Sequence, residues 1–217
     1  MSQTQILSIN VGTPREFTYQ GKLVSTAIWK TAVPSPMMLS NTNLAGDGQA
    51  DLVNHGGLDK AVLIYSYDHY DYWKQQFNCE LAYGSFGENV TVSGLTEHDV
   101  CIGDTFQWGD AIIQISQPRY PCYKLDIRHE RPGVVPLVLA TGFTGYYVRV
   151  LQSGMVSKDA GLIRLQKHPL QMSVATVGEV YANKNASHEM IRSILAVDEL
   201  AVGWRGSFEK RLLNKLD

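Results

Sequence analysis

Apolar and polar positions alternate along much of the first three quarters of the chain. Leu7, Ile9 and Val11 are separated by Ser8 and Asn10, the period of two that turns one face of a strand toward a core. Similar short patterns bounded by turn residues predict strands over 22–29, 62–65, 88–93, 104–108 and 111–116. Gly109-Asp110 lies between the last two and suits a tight two-residue hairpin. One helix interrupts the strands: Tyr70, Trp73 and Phe77 fall at i, i+3 and i+7, while Asp68, Asp71 and Lys74 take other positions. That is an amphipathic helix over about 66–77. A second helix is expected near 144–153, closed by Gly154. Many short strands with turns between them predict a mainly β fold, a barrel or a sandwich.

The pattern changes at Lys167-His168-Pro169. Ser173 can cap a helical run through Tyr181, and Asn185 or Ser187 a run through Leu195. Leu200, Trp204, Phe208 and Leu212 follow at intervals of four, as on one helical face. The chain therefore divides into a β-rich domain, 1–167, and a small three-helix domain, 168–217. So small a helical piece has too little core to stand alone. Its apolar stripe is expected to pack on the barrel or on a second chain, and a homodimer is expected.

Composition narrows the function. The chain has 217 residues, 44% hydrophobic and 18% charged, with a net charge of −2. No global basic field invites nucleic acid. No apolar run approaches the roughly 18 residues of a membrane span, and the N-terminus lacks the basic and apolar regions of a secretory signal. Three cysteines, an odd number without a C-x-x-C pair, fit free thiols in a reducing cytoplasm. Cys79, after the aromatic helix, and Cys101, in an apolar run, are read as structural.

Cys122 is different. It sits in Gln117-Pro118-Arg119-Tyr120-Pro121-Cys122-Tyr123-Lys124-Leu125. The two prolines fix φ near about −65° and stiffen the loop. Arg119 and Lys124 flank the cysteine, and positive charge favours the thiolate, the form that attacks electrophiles and binds metals. A second polar segment, Asp51 to Lys60, contains Asn54, His55, Gly56, Gly57, Asp59 and Lys60. Gly56-Gly57 frees the backbone to approach a ligand, and a lysine at a strand mouth beside it can cradle phosphate. No second histidine lies at metal-ligand spacing from His55. A third segment, residues 84–89, carries Glu88, a strand-end charge, and Asn89, able to read a heterocycle edge.

Together these segments resemble the MOSC domain, closest to its YiiM-like bacterial branch. The residues that carry the resemblance are His55-Gly56-Gly57-Leu58-Asp59-Lys60-Ala61 with Tyr65, Phe86-Gly87-Glu88-Asn89, Gly103-Asp104, and the loop from Gln117 to Leu125. They span roughly residues 1 to 165, and the tail resembles the three-helix domain that follows in this branch, with Trp204-Arg205 and Leu212 matching. The resemblance implies a MOSC β-barrel with a pocket at one end. It implies a molybdenum cofactor (molybdopterin) anchored at its metal by Cys122, with Arg119 and Lys60 beside it as catalytic residues. Asn54, His55, Gly56, Gly57, Asp59, Glu88, Asn89 and Lys124 are then expected around the cofactor. Lys60 departs from the arginine often found there, which keeps the charge and loses the two-pronged geometry. The implied activity is reduction of N-hydroxylated bases such as 6-hydroxylaminopurine, a detoxification fed by an electron-donor reductase. Two other readings stand beside it: a carrier of the cofactor or of a persulfide on Cys122, and a metal-free thiol enzyme that would need a base such as His129.

Overall fold

The computed structural model describes residues 3–34, 36–51 and 56–213. Its first segment is extended throughout: β1 (Gln3–Thr4) and β2 (Ile6–Val11) are broken only at Gln5. Then come the hairpin β3 (Arg15–Tyr19) and β4 (Lys22–Thr26), β5 (Thr31–Ala32), β6 (Met37–Leu39) and β7 (Val62–Ser66). A 3-10 turn and α1 (Tyr70–Phe77) lead to β8 (Val90–Val92), β9 (Thr105–Trp108) and β10 (Ala111–Pro118). Two helices, α2 (Lys124–Arg128) and α3 (Val134–Thr141), precede β11 (Tyr146–Gln152), β12 (Gly154–Val156) and β13 (Leu162–Gln166). The chain finishes in α4 (Val174–Ala182), α5 (His188–Leu195) and α6 (Val202–Leu213).

Nine strands form one sheet in the order β1-β13-β9-β10-β11-β7-β8-β2-β5. Because β1 and β2 are consecutive, a single extended segment pairs with β13 on one side and β8 on the other. The sheet therefore curls into a barrel, which removes most of its exposed edges. Among the described residues only β7 and β8 pair in parallel, across the crossover that contains α1. Gly109 turns the β9–β10 hairpin with φ 58°, and a Cβ there would lie 2.4 Å from the Met155 carbonyl oxygen. Glycine is thus required for both conformation and space.

The helix expected near 144–153 is instead strand β11, paired with β10 and β7. Tyr146 and Val148 point into the core and Tyr147 and Arg149 away from it, so the period is two. Apolar residues on both faces of this strand also satisfy a helical spacing; the β-branched and aromatic residues and the two partner strands decide it. The expected helix at 66–77 opens as a 3-10 turn over Tyr67–His69. It buries Tyr70, Trp73 and Phe77, and Asn78 ends it at φ 52°.

In the tail, the Ser173 and Ser187 hydroxyls accept the Thr176 and Met190 N–H groups at 3.1 and 3.2 Å, capping α4 and α5. The apolar stripe meets the barrel. Val177, Ile191, Ile194, Trp204 and Phe208 join one continuous core with Ile6, Val100 and Ile113. A second core, around Tyr65, Trp73, Phe86, Leu125 and Val138, packs α1, α2 and α3 outside the barrel wall.

Candidate functional site

Strand β10 delivers the cysteine loop. Its register with β11 shifts between Ile115 and Gln117, a bulge of the kind that re-aims a strand end. The Ser116 hydroxyl bridges there, to the Asp59 and Tyr147 carbonyl oxygens at 2.6 and 3.0 Å. Pro118 ends the strand, and the Arg119 N–H bonds the Gly145 carbonyl at 3.0 Å. Cys122 follows, half-buried and free, and its carbonyl accepts the Leu125 N–H at 3.0 Å as α2 begins.

The cleft at this barrel end is lined by Cys122, Arg119, Lys124, Lys60 and Asn89, together with Lys30 and Tyr147. Four cations share one concave wall with one thiol and with Asp51, and Lys30 is paired with Asp47, so the lining stays net positive among the described residues. Such a cleft concentrates field and attracts anions. Arg119 is 6% exposed. Its guanidinium donates to the Thr144 and Phe86 carbonyls at 3.5 and 3.3 Å, and among the described residues no carboxylate pairs with it. A buried cation without a counter-charge is costly, and an anionic ligand would supply the missing charge. Burial lowers the pKa of Lys60, opposed by Asp59 and Asp51.

Lys30, Asp47 and Tyr147 escaped the sequence reading. Lys30 forms a buried ion pair with Asp47. Burial lowers its pKa, while Asp47 works in the opposite sense. Asp47 also accepts the Gly12 N–H at 2.8 Å and the Asn89 side-chain amide at 2.8 Å. The Tyr147 phenol is pushed up to about 12, mainly by burial, with Arg119 opposing and Cys122 reinforcing. It stays protonated at neutral pH and can donate. Only the alternation of β11 points to Tyr147, and the helical spacing of 144–153 masks it.

Other expected site residues take different places. Glu88 is buried and faces inward. Its carboxylate accepts the Gly84 and Phe86 N–H groups at 2.8 and 2.9 Å and the hydroxyls of Thr91 and Tyr70, so it folds the 84–88 turn. Asn89 is split: its amide oxygen accepts the Leu63 N–H at 3.1 Å while one face lines the cleft. Asp59 lies outside the cleft, clamped to Arg149 at 2.7 and 2.9 Å and to the Val202 N–H at 3.2 Å. Gly56 and Gly57 line a neighbouring groove, with Gly57 at φ 96°. Asn54 and His55 lie outside the described residues.

His129 does not line the Cys122 cleft. Its ring packs on Phe77 and Phe86, with centroids at 4.8 and 5.2 Å, and its buried Nε2 has no hydrogen-bond partner among the described residues. Burial, then Arg128, lowers its pKa to about 4. A thiol mechanism with His129 as base therefore has no geometric support. The depressed value has a consequence for stability. The unfolded chain takes up this proton near about 6.5, so the stabilisation is complete above that pH and is lost as pH falls toward 4. Urea titrations of wild type should lose on the order of 2 kcal/mol between pH 7 and 4.5 through this group. His129→Leu should lose less over the same interval, and an equal loss would contradict the assignment.

Comparison with known proteins supports the fold. The MOSC domain matches residues 51–162, and the YiiM-like, 3-alpha helix domain matches residues 172–214. The chain is 43% identical over 206 residues to the uncharacterized protein YflK of Bacillus subtilis (strain 168), covering 95% of this chain and 93% of that one. It is 31% identical over 190 residues to a protein named "Reductase" of Gibberella moniliformis, covering 86% of this chain but 34% of the relative. The crystal structure of YiiM from Geobacillus stearothermophilus superposes with a TM-score of 0.83 at 36% identity, covering 96% of this chain and 99% of that one. The chain belongs to the MOSC family, in its YiiM-like branch, with the three-helix domain of that branch at its C-terminal end.

Proposed function

We propose that this protein binds a molybdenum cofactor in the Cys122 cleft and reduces N-hydroxylated bases such as 6-hydroxylaminopurine. The observation that carries the reading is the convergence of Cys122, Arg119, Lys60 and Lys124 on one cleft, with Arg119 buried and lacking a carboxylate partner among the described residues. Membership of the MOSC family supports it, as does a relative named a reductase. The donor set fits the cofactor chemically. A thiol sulfur is a soft ligand suited to a molybdenum–sulfur bond, and guanidinium and ammonium groups suit a phosphate.

When bound, the cofactor supplies two-electron redox chemistry at its metal. Cys122 would hold the metal in place on a proline-stiffened loop. Arg119 and Lys124 would neutralise the anionic groups, and Lys60 would polarise the hydroxyl oxygen that leaves. Tyr147, protonated through neutral pH, would donate a proton to that oxygen. The overall change consumes two electrons and two protons, cleaves the N–O bond, and yields an amine and water. The electrons come from a donor reductase.

The test is direct. Protein loaded with cofactor and supplied with a chemical reductant should convert 6-hydroxylaminopurine to adenine, and Cys122→Ala should not. Failure of loaded wild type on every N-hydroxylated base would overturn the activity. A persulfide found on Cys122 in the same inactive protein would favour a carrier.

A further inference from the structure

A groove runs beside the Cys122 cleft, where the barrel meets α6. Lys60 and Tyr147 line both. The far wall of the groove is aromatic. Tyr120, 52% exposed, meets Tyr181 edge-on at 5.4 Å, and Tyr181 lies 4.4 Å from Trp204. Gln117 also lines the groove and is only 4% exposed. Its side-chain NH2 donates to the Pro118 carbonyl at 3.3 Å, while its amide oxygen accepts no hydrogen bond from the described residues. An amide oxygen without a partner among the described residues, beside a groove, is a ready acceptor for a ligand N–H.

The groove is also held rigid. Asp59 ties the 56–60 turn to Arg149 and to the first N–H of α6, and the Ala201 N–H bonds the Ser116 carbonyl at 3.0 Å. Its walls therefore keep their spacing, as a recognition site requires.

We infer that this groove is the binding subsite for the flat heterocycle of the substrate. The inference rests on the proposed reductase reading for the identity of that substrate. The ring lies against Tyr120 and its aromatic neighbours, and the Gln117 amide reads an N–H edge. The substituent to be reduced then extends past Lys60 and Tyr147 into the Cys122 cleft. Aromatic side chains stack on bases irrespective of their identity, while the glutamine amide oxygen can accept a ring N–H away from the substituent to be reduced. This division of labour places recognition in the groove and chemistry in the cleft.

Gly203 provides a clean test. It lines the groove, and a Cβ added there meets nothing within 4 Å. Gly203→Ala should fold at least as well as wild type, because alanine is the better helix former. Gly203→Trp should fill the groove. The probe is adenine, a flat base with no N–O bond to reduce, titrated into purified protein by calorimetry. Wild type and Cys122→Ala should bind it equally. Tyr120→Ala should weaken binding about tenfold, and Gly203→Trp should abolish it while its thermal melt stays that of a folded protein. Undetectable binding to wild type, or unchanged binding to folded Gly203→Trp, would overturn the inference. Reduction of 6-hydroxylaminopurine by loaded Gly203→Trp with unchanged KM would overturn it too, leaving the proposed activity intact. Conversely, adenine binding that Gly203→Trp abolishes, in a protein whose loaded form reduces nothing, would establish the groove and refute the activity.

Discussion

A chain ending at Lys167 is expected not to fold. Seven side chains of the tail, Val174, Val177, Ile191, Ile194, Val197, Leu200 and Phe208, are no more than 2% exposed and lie in the same core as the barrel. Full burial of such side chains is worth roughly 1.5–3 kcal/mol each. Their loss bares an apolar barrel face on a scale comparable to the net stability of about 5–15 kcal/mol typical of a domain. Backbone links go with them: Val174 and Ala175 donate to the Val100 and Glu97 carbonyls at 3.0 and 2.9 Å, and the Ile102 N–H bonds the Met172 carbonyl at 2.9 Å. The truncated chain should aggregate or bind a hydrophobic dye without a cooperative melt. A soluble 1–167 fragment melting as sharply as the whole chain would show that the barrel is self-sufficient.

Replacing Arg119 by methionine should separate function from stability. No carboxylate among the described residues depends on this guanidinium, and only the Thr144 and Phe86 carbonyls lose a donor. Relief of an unpaired buried charge offsets that loss, so the melting temperature should hold within a few degrees. Activity should fall about 100-fold or more, the usual consequence of removing one preorganised charged donor. Arg119→Lys should recover part of it, since the charge returns without the planar fork. A large loss of stability with activity retained would make Arg119 a structural residue. The opposed effects are the mark of a group kept for its ligand at a cost to the fold.

The barrel was legible where alternation was clean. Leu7 to Val11 was legible as a strand, although Ser8 and Asn10 prove buried while Leu7 and Val11 are only half-buried; the Gly109-Asp110 hairpin needed nothing beyond its own residues. Where apolar residues sit on both faces, as in β11, the local pattern fits two periods and only the partner strands choose. Helix α3 was invisible for another reason. Its sequence, Val-Val-Pro-Leu-Val-Leu-Ala-Thr, is rich in β-branched residues, and its N-terminus is capped from a distance by Asp126, whose carboxylate accepts the Val134 N–H at 2.9 Å. Proline is tolerated in that first turn, where the N–H groups lack helical partners.

The site shows the same limit. Cys122, Arg119 and Lys124 announced themselves by local chemistry, and the MOSC resemblance joined Lys60 to them. Lys30, in the loop between β4 and β5, and Tyr147, on β11, reach the cleft only through the curl of the barrel, from segments that carry no motif. Glu88 and Asp59 stand within recognisable segments, yet their carboxylates bind the protein's own backbone and Arg149. A motif thus includes the residues that shape a site as well as those that line it.

The central claim is that Cys122 anchors the metal of a bound cofactor. Molybdenum and pterin content, measured side by side in wild type and Cys122→Ala purified from a host that makes the cofactor, tests it most directly. Both should be present in wild type, and molybdenum should fall at least about tenfold in the variant, with its fold unchanged. Equal molybdenum in the two proteins would contradict the claim.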